Sequence, residues 1–195
     1  MIDRRESNKE SFTWVSKGLP LILLVCSIAL NLGLAKRARS LEEVIVSLKS
    51  EGSLQAGAKV PPLAGRLLTG ERVSIAYNAD EKPMMIYIFS PLCGWCKKNT
   101  NSVRSLIEQI SSKHRVIGIS MVSEGLSQSV TESGFKFPVL HELPPSIVSA
   151  YKLGGTPQTI IVSSDGKILQ NWIGAYGGSI REEIEKYFGV KLPEA

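Results

Sequence analysis

The sequence contains few thiol and imidazole side chains, with three cysteines and two histidines among its 195 residues. Cys93 and Cys96 are separated by two residues, whereas Cys26, His114 and His141 occupy unrelated positions. A tetrahedral zinc site needs four ligands, usually supplied by closely spaced pairs. We therefore expect no metal site, and no cofactor other than a redox-active disulfide that the cysteine pair itself would form.

Outside the N-terminal part, the chain has little net positive charge. Of the net charge of +5, residues 1–40 contribute +4 (7 basic and 3 acidic side chains) and residues 41–195 contribute +1 (16 basic and 15 acidic). Nucleic-acid-binding domains usually carry a basic stripe with interleaved aromatic side chains, and this sequence has none. We expect no nucleic-acid partner. The sequence also lacks internal repeats and low-complexity tracts, so residues 60–195 predict one compact domain.

The cysteine pair directly follows the pattern of a buried strand. Met84 to Phe89 form a short apolar run with aromatic and β-branched residues. The apolar positions after it recur at helical spacing: Cys96, Val103, Leu106, Ile107 and Ile110. Cys93 is therefore predicted at the N-terminus of a helix, where unpaired amides and the helix dipole favour a thiolate. Lys97 and Lys98 add positive charge nearby and are expected to tune the redox properties of the pair.

Two cysteines at this spacing on the first turn of a helix can form a disulfide, because their Cβ atoms approach to roughly 4 Å. We predict that Cys93 attacks a partner's disulfide and that Cys96, one turn further along, resolves the mixed disulfide. The reverse sequence of steps donates a disulfide. A purely structural disulfide is disfavoured, since so short a loop restrains the unfolded chain very little.

The remaining patterns predict a β-α-β-α-β-β-α order. Strands are expected over 115–120, 158–163 and 168–173, with a further apolar stretch at 137–140 and a polar stretch without an element from 123 to 134. A short helix is expected over 146–151. A final helix is expected to begin with a capping box, Ser179 and Glu182, and to end near Gly189.

With these motifs the chain resembles the thioredoxin superfamily and, more narrowly, the membrane-anchored TlpA/ResA-type proteins of bacteria. The resemblance covers roughly Val60 to Leu192. It rests on Cys93-Gly94-Trp95-Cys96, on Gly155-Thr156-Pro157 and on Phe137-Pro138-Val139-Leu140. It implies an α/β, thioredoxin-like fold, with a mixed central sheet flanked by helices and an added N-terminal hairpin over Arg66 to Ile75.

The resemblance also implies a substrate-binding surface around the dithiol. The proline that matches Pro157 is cis in this family and faces the cysteines, and the preceding residue, here Thr156, contacts the partner chain. Gly94 and Trp95 are expected to join this surface. The residues alone are equally consistent with a cis proline and with an ordinary proline at the start of a strand. X-Pro is the common context for a cis bond.

Two positions depart from the family pattern. Thioredoxin has a buried acid six residues before its first cysteine, where this chain has Tyr87, and ResA-type proteins have a glutamate three residues after the second cysteine, where it has Asn99. Both acids assist proton transfer in their families. The sequence therefore identifies no general base for Cys96 and leaves the direction of exchange open.

The N-terminal part predicts a membrane anchor. Residues 18–35 contain no charged side chain, and as a helix they would span roughly 27 Å. We predict a cytoplasmic tail over 1–17, a single transmembrane helix over 18–35 and a helical stalk over 36–59, with a dimerisation helix as the alternative for the stalk. There are two alternatives to a membrane anchor: a cleaved signal peptide that ends at Gly33-Leu34-Ala35, and a buried soluble helix. Cys26 is expected to be an apolar filler in the span.

The expected function is that of a thiol:disulfide oxidoreductase in a bacterial inner or cell membrane. Its domain is predicted outside the cytoplasm, where disulfides persist. Its partners would be protein thiols or disulfides, membrane lipid around the N-terminal helix, and a membrane or extracytoplasmic dithiol as electron donor or acceptor. The resemblance implies cytochrome c maturation or a MauD-like role. The alternative is a Cu(I)-delivery protein using the same thiolates. A peroxide-reducing role is disfavoured because the Pro/Thr/Cys peroxidatic pattern is absent.

Overall fold

A computed structural model gives the fold of residues 22–40 and 54–193. The chain divides into two units, Met1–Gly52 and Ser53–Ala195. The predicted tail over 1–17, the first four residues of the predicted span and residues 41–53 of the predicted stalk lie outside the described residues.

The first unit contributes helix α1, residues 22–40, whose residues are all exposed. The helix continues past the predicted end of the span at residue 35 and includes Lys36, Arg37 and Arg39. Within residues 22–40 and 54–193, no helix has the length and apolar character that crossing a membrane requires.

Residues 54–193 fold around a seven-stranded sheet in the order β2-β1-β5-β4-β3-β6-β7. The strands are β1 (Leu63–Leu67), β2 (Arg72–Ile75), β3 (Met84–Phe89), β4 (Arg115–Ser120), β5 (Val139–His141), β6 (Gln158–Val162) and β7 (Ile168–Ile173). The helices are α2 (Gly94–Ile110), α3 (Leu126–Ser133), α4 (Pro145–Ala150) and α5 (Gly178–Phe188), with a 3₁₀ turn at Tyr77–Ala79. β3 pairs parallel to β4, and β4 parallel to β5, while the other pairs are antiparallel. The predicted mixed sheet is confirmed.

Strand β3 lies inside the sheet between β4 and β6, and all six of its residues are buried. Successive side chains of a strand point to opposite faces. Met84, Ile86 and Ile88 pack on the side of the sheet that carries α4, here called the α4 side. Met85, Tyr87 and Phe89 pack on the opposite side with α2, α3 and α5, here called the α2 side. Tyr87 thereby shares a core with Cys96.

The predicted hairpin is confirmed, although its first strand begins at Leu63 rather than Arg66. β1 and β2 are antiparallel, with Leu63 opposite Ile75. Gly70, with a φ of 91°, occupies the turn between them. Few other residues adopt this conformation without strain, so the Thr69-Gly70 break in the pattern has a physical basis.

Residues 54–59, which the sequence assigns to the linker, belong to the globular unit and pair with strand β7. The Gly57 N–H donates to the Ile168 carbonyl at 2.8 Å, and the Ile168 N–H donates to the Ala58 carbonyl at 2.9 Å. Leu54 is buried in the core on the α4 side. These contacts attach the start of the unit to strand β7.

Two predictions about helices were wrong. The polar stretch from 123 to 134 contains helix α3, whose single fully buried residue, Leu126, is too weak an apolar pattern to indicate a helix. The predicted capping box at α5 is absent, because the helix begins at Gly178, and its N-cap, Gly177, makes no side-chain cap hydrogen bond. Ser179 therefore lies inside the first turn, not at the cap.

Candidate functional site

The candidate site lies at the junction between β3 and α2. The loop after β3 is closed by the Cys93 N–H, which donates to the Ser90 carbonyl at 3.1 Å, and by the Leu92 N–H, which donates to the Ser90 hydroxyl at 3.2 Å. Cys93 is the N-cap of α2, in extended conformation, and the helix begins at Gly94. The predicted place of Cys93 at a helix N-terminus is confirmed.

The two cysteines lie at disulfide distance, with their Cα atoms 5.2 Å apart. The Cys96 N–H donates to the Cys93 sulfur at 3.0 Å. This amide is one of the N-terminal donors that have no partner within the helix, and it would equally stabilise a Cys93 thiolate after reduction. Cys93 is half-buried, whereas Cys96 is 5% exposed. Cys93 is thus the more accessible of the two, as a nucleophile must be.

The loop before β6 brings Thr156 and Pro157 to the dithiol. The Thr156–Pro157 peptide bond is cis, as the resemblance implies. The Cys93 sulfur lies 3.6 Å from the Thr156 carbonyl oxygen. Pro157 is buried, and its own carbonyl accepts from the Gly174 N–H at 2.8 Å, which ties the loop to the end of β7.

Exposed side chains surround Cys93 on the first turn of α2 and the loop before it. Leu92 is 77% exposed and Trp95 is 64% exposed. The Lys98 ammonium lies 4.7 Å from the centre of the Trp95 ring, a cation–π distance. Gly94 and Lys97 are exposed as well. The expected roles of Gly94 and Trp95 in substrate binding, and of the two lysines in redox tuning, stay predictions.

The two residues that replace the family's acids are both buried on the α2 side. The Asn99 Oδ1 accepts from the Tyr176 N–H at 2.8 Å. Tyr87 stacks on Phe89, with ring centres 5.7 Å apart. Burial raises the pKa of Tyr87 to about 12, and the neighbouring Asn99 amide opposes part of this rise. Tyr87 therefore remains an uncharged phenol over the pH range in which thiols titrate.

Sequence patterns did not point to two further buried polar residues, Thr159 and Tyr176, the second of which contacts Asn99. The Tyr176 and Thr159 hydroxyls form a buried hydrogen bond of 2.8 Å. Burial raises the pKa of Tyr176, the bond to Thr159 opposes the rise, and Tyr87 adds to it. These residues lie more than 60 positions after the cysteines in the sequence, and only the sheet brings Tyr176 to Asn99.

Within the part of the chain that the structure describes, no group of three or more His, Cys, Asp or Glu side chains could hold a metal ion. Cys26, on α1, is a free and exposed thiol. The candidate site is thus the cysteine pair together with the Thr156–Pro157 loop, and Tyr87 and Tyr176 lie in the same core as Cys96.

Comparison with known proteins gives a family and a fold. The family model described as "AhpC/TSA family" matches residues 56–171. The chain is 21% identical over 147 residues to "Thiol-disulfide oxidoreductase ResA" of Bacillus thuringiensis (strain Al Hakam), an alignment that covers 72% of this chain and 80% of that protein. The protein of the same name from Bacillus anthracis matches with the same figures.

Solved structures share the fold at low sequence identity. The thioredoxin domain of a thiol-disulfide oxidoreductase from Bacteroides vulgatus is 22% identical with a TM-score of 0.55, over 70% of this chain and 99% of that one. A putative thiol:disulfide interchange protein DsbE from Chlorobium tepidum is 16% identical with a TM-score of 0.58, over 70% of this chain and 96% of that one. The predicted thioredoxin-like α/β fold is confirmed.

Proposed function

The chain belongs to the AhpC/TSA family, and we propose that it exchanges disulfides with protein substrates through Cys93 and Cys96. The observation that carries the proposal is the setting of Cys93 at the start of α2. The Cys96 amide nitrogen lies 3.0 Å from the Cys93 sulfur, and the Thr156 carbonyl oxygen lies 3.6 Å from the same sulfur. The predicted enzyme class, thiol:disulfide oxidoreductase, agrees with the relatives that carry this name.

The exchange proceeds in two substitutions at sulfur. In the reducing direction the Cys93 thiolate attacks one sulfur of a substrate disulfide, and the other substrate sulfur leaves as a thiolate and takes up a proton. Cys96 then loses its proton and attacks the Cys93 sulfur, which releases the second substrate thiolate. Two electrons pass from the dithiol to the substrate. A partner dithiol must return them, and the oxidising direction reverses every step.

Disulfide exchange by the purified full chain tests the proposal. The reduced protein should accelerate the reduction of insulin disulfides by dithiothreitol, and Cys93→Ser should abolish the acceleration, because the attacking sulfur is lost. Cys26→Ser is the matched control and should retain full activity, since Cys26 lies on α1 in the other unit. A wild-type chain that exchanges no disulfide would contradict the proposal, and one that instead binds Cu(I) would favour copper delivery.

We also propose that the domain works outside the cytoplasm, tethered to a bacterial membrane, in the maturation of cytochrome c or, in a MauD-like role, of another enzyme. The proposal rests on the uncharged run over 18–35, part of which lies outside the described residues, and on the persistence of disulfides outside the cytoplasm. An alkaline phosphatase fusion after Leu192 should be active in intact cells, and the chain should resist extraction from membranes by alkali. An inactive fusion would contradict the placement.

A further inference from the structure

A groove with a volume of about 440 Å³ lies beside the second half of helix α2. Its lining comes from α2, from the start of β4 and from residues 134–138, which join α3 to β5. Volumes of about 300–1,000 Å³ are typical of small-molecule sites. Arg104 in the lining follows Cys96 by eight residues on α2, or about 12 Å along the helix axis. The groove is therefore separate from the dithiol.

The apolar side chains of the lining extend the core on the α2 side to the surface. They belong to Ile107, Val116, Phe135, Phe137 and Pro138. The first four are partly buried and pack against that core, whereas Pro138 is exposed. Small-molecule sites combine such an apolar lining with a few polar groups that orient the ligand. This part of the groove suits the apolar body of a ligand.

Packing holds the two aromatic rings of the lining in place. The centre of the Phe135 ring lies 4.8 Å from that of Phe137 and 6.0 Å from that of Tyr87. Phe137 packs so closely over β4 that a Cβ atom at Gly118 would lie 2.7 Å from its ring. A preformed surface binds a ligand at a lower entropic cost than one that must first be ordered. Fixed rings also favour an aromatic partner.

Two cationic side chains of the lining have no partner anion. None of the ion pairs among the residues that the structure describes includes Arg104 or Lys136. Glu108 is the one carboxylate of the lining, and it pairs with neither cation. His114 also lines the groove, and burial lowers its pKa, so its ring is uncharged at neutral pH. The lining therefore has an excess of positive charge.

Arg104 lies at the edge of the apolar surface. A Cβ atom at Gly134, the residue before Phe135, would lie 3.8 Å from the Arg104 Cζ and 3.8 Å from its Nε. The guanidinium is thus next to the backbone that leads into the Phe135 ring. An arginine without a protein anion can bind a carboxylate through two parallel hydrogen bonds. A ligand that packs on Phe135 would bring its anionic group to Arg104.

We propose that this groove binds a small anionic ligand that combines an aromatic body with one carboxylate. The body packs on Phe135 and Phe137, and Arg104 binds the carboxylate with the charge of Lys136 nearby. Binding is noncovalent and leaves Cys93 accessible, because the groove lies along the second half of α2. The site is a property of the domain beyond the proposed exchange reaction, and it can be tested whether or not the chain exchanges disulfides.

Calorimetric titration of the full chain with 1-naphthaleneacetate tests the proposal. Its neutral isostere, 1-naphthaleneacetamide, has the same aromatic body without the charge. The carboxylate should bind with a Kd of about 1 mM or below and about tenfold more tightly than the amide. Combining Arg104→Gln with Lys136→Gln should weaken binding of the carboxylate about tenfold and leave binding of the amide unchanged, since only the interaction with the charge is lost.

The matched control removes one lysine and one arginine from helix α1, by Lys36→Gln and Arg37→Gln. This chain should bind 1-naphthaleneacetate as the wild type does, and a tenfold loss here would place the ligand on α1 and overturn the proposal. Absence of saturable binding would overturn it as well. So would equal affinity for the acid and the amide, or unchanged affinity for the acid after Arg104→Gln and Lys136→Gln.

A second measurement keeps the test decisive should that double variant fail to fold. Arg104 and Lys136 are exposed, so the variant should retain the cooperative thermal unfolding of the wild type. Independently, 1-naphthaleneacetate added to the wild-type chain should shift the backbone amide signals of Gly134 and Phe135 in nuclear magnetic resonance spectra. Shifts confined to residues outside the groove would overturn the proposal.

Discussion

At the scale of single residues, Cys93 and Cys96 differ in how far a partner protein can reach them. Cys96 is 5% exposed and packs in the core on the α2 side. Cys93 is half-buried, and its neighbour Trp95 projects from the surface. A partner's sulfur therefore meets Cys93 first, and the sulfur that Cys96 can reach is that of Cys93.

This difference predicts the behaviour of two alanine variants. Cys96→Ala should accumulate mixed disulfides through Cys93, because no thiol remains beside it to resolve them. Cys93→Ala should accumulate far fewer, since the remaining sulfur is buried. Non-reducing electrophoresis and mass spectrometry of adducts captured in cells measure both. Equal yields of adducts from the two variants would contradict the assigned order of attack.

His114 predicts how stability depends on pH. Burial lowers the pKa of His114, and Lys113 lowers it further, while the Ile110 carbonyl raises it. The ring packs edge-on against Phe188, with centres 5.1 Å apart. Since the folded-state pKa lies below the unfolded value of about 6.5, the unfolded chain binds the proton more readily, and the free energy of unfolding should fall as the pH drops below that value.

Urea unfolding at a series of pH values measures this effect. His114→Leu should flatten the decline just below the unfolded pKa, because the group that takes up the proton is gone. His141→Gln, a change at the other histidine of the sequence, is the control and should retain the decline that His114 causes. The same slope in wild type and His114→Leu would show that other groups are responsible.

At the scale of elements, the bounds of β3, β4 and β7 were predicted to the residue, and β6 ends one residue before its predicted end at Ser163. The turn at 164–167 separates β6 from β7 as expected. Helix α3 was not predictable, because it buries one residue fully, Leu126, and its other apolar side chain, Val130, is only partly buried against the core. A helix with so narrow an apolar stripe has no clear periodicity.

Strand β4 packs closely against the segment that leads into β5. A Cβ atom at Gly118 would lie 2.7 Å from the Phe137 ring and 3.0 Å from a Val139 methyl group. Gly118→Ala should therefore lower the free energy of unfolding by about 1–3 kcal/mol through overpacking. Gly154→Ala is the matched control, since a Cβ atom there meets nothing within 4 Å. Urea denaturation of both variants checks this, and an unchanged midpoint for Gly118→Ala would contradict it.

At the scale of the whole molecule, both hydrophobic cores, one on each side of the sheet, are formed by residues of the globular unit. The clusters on the α4 side and the α2 side draw their residues from Leu54 to Leu192. Residues 53–195 should therefore fold without the preceding unit, unfold cooperatively and exchange disulfides as the full chain does. Circular dichroism during thermal unfolding, and the insulin assay, measure these properties.

A shorter fragment provides the control for this prediction. A chain beginning at Leu63 lacks the buried Leu54 and Val60 and the pairing of Gly57 with Ile168. It should melt at a lower temperature than the fragment 53–195. Equal melting temperatures would show that residues 54–62 do not stabilise the unit.

The sequence by itself determined the strand before the dithiol, the helix after it and the resulting place of Cys93, because these features depend on residues within one short stretch. Two contacts depended on the tertiary structure: that of Cys93 with Thr156 and that of Asn99 with Tyr176. In each, the fold joins segments more than 60 residues apart in the sequence. In the sequence, Tyr87 and Asn99 are notable only because each occupies a position where the family has an acid. Their burial on the α2 side results from strand alternation and from the packing of α2 on the sheet, which no local pattern specifies.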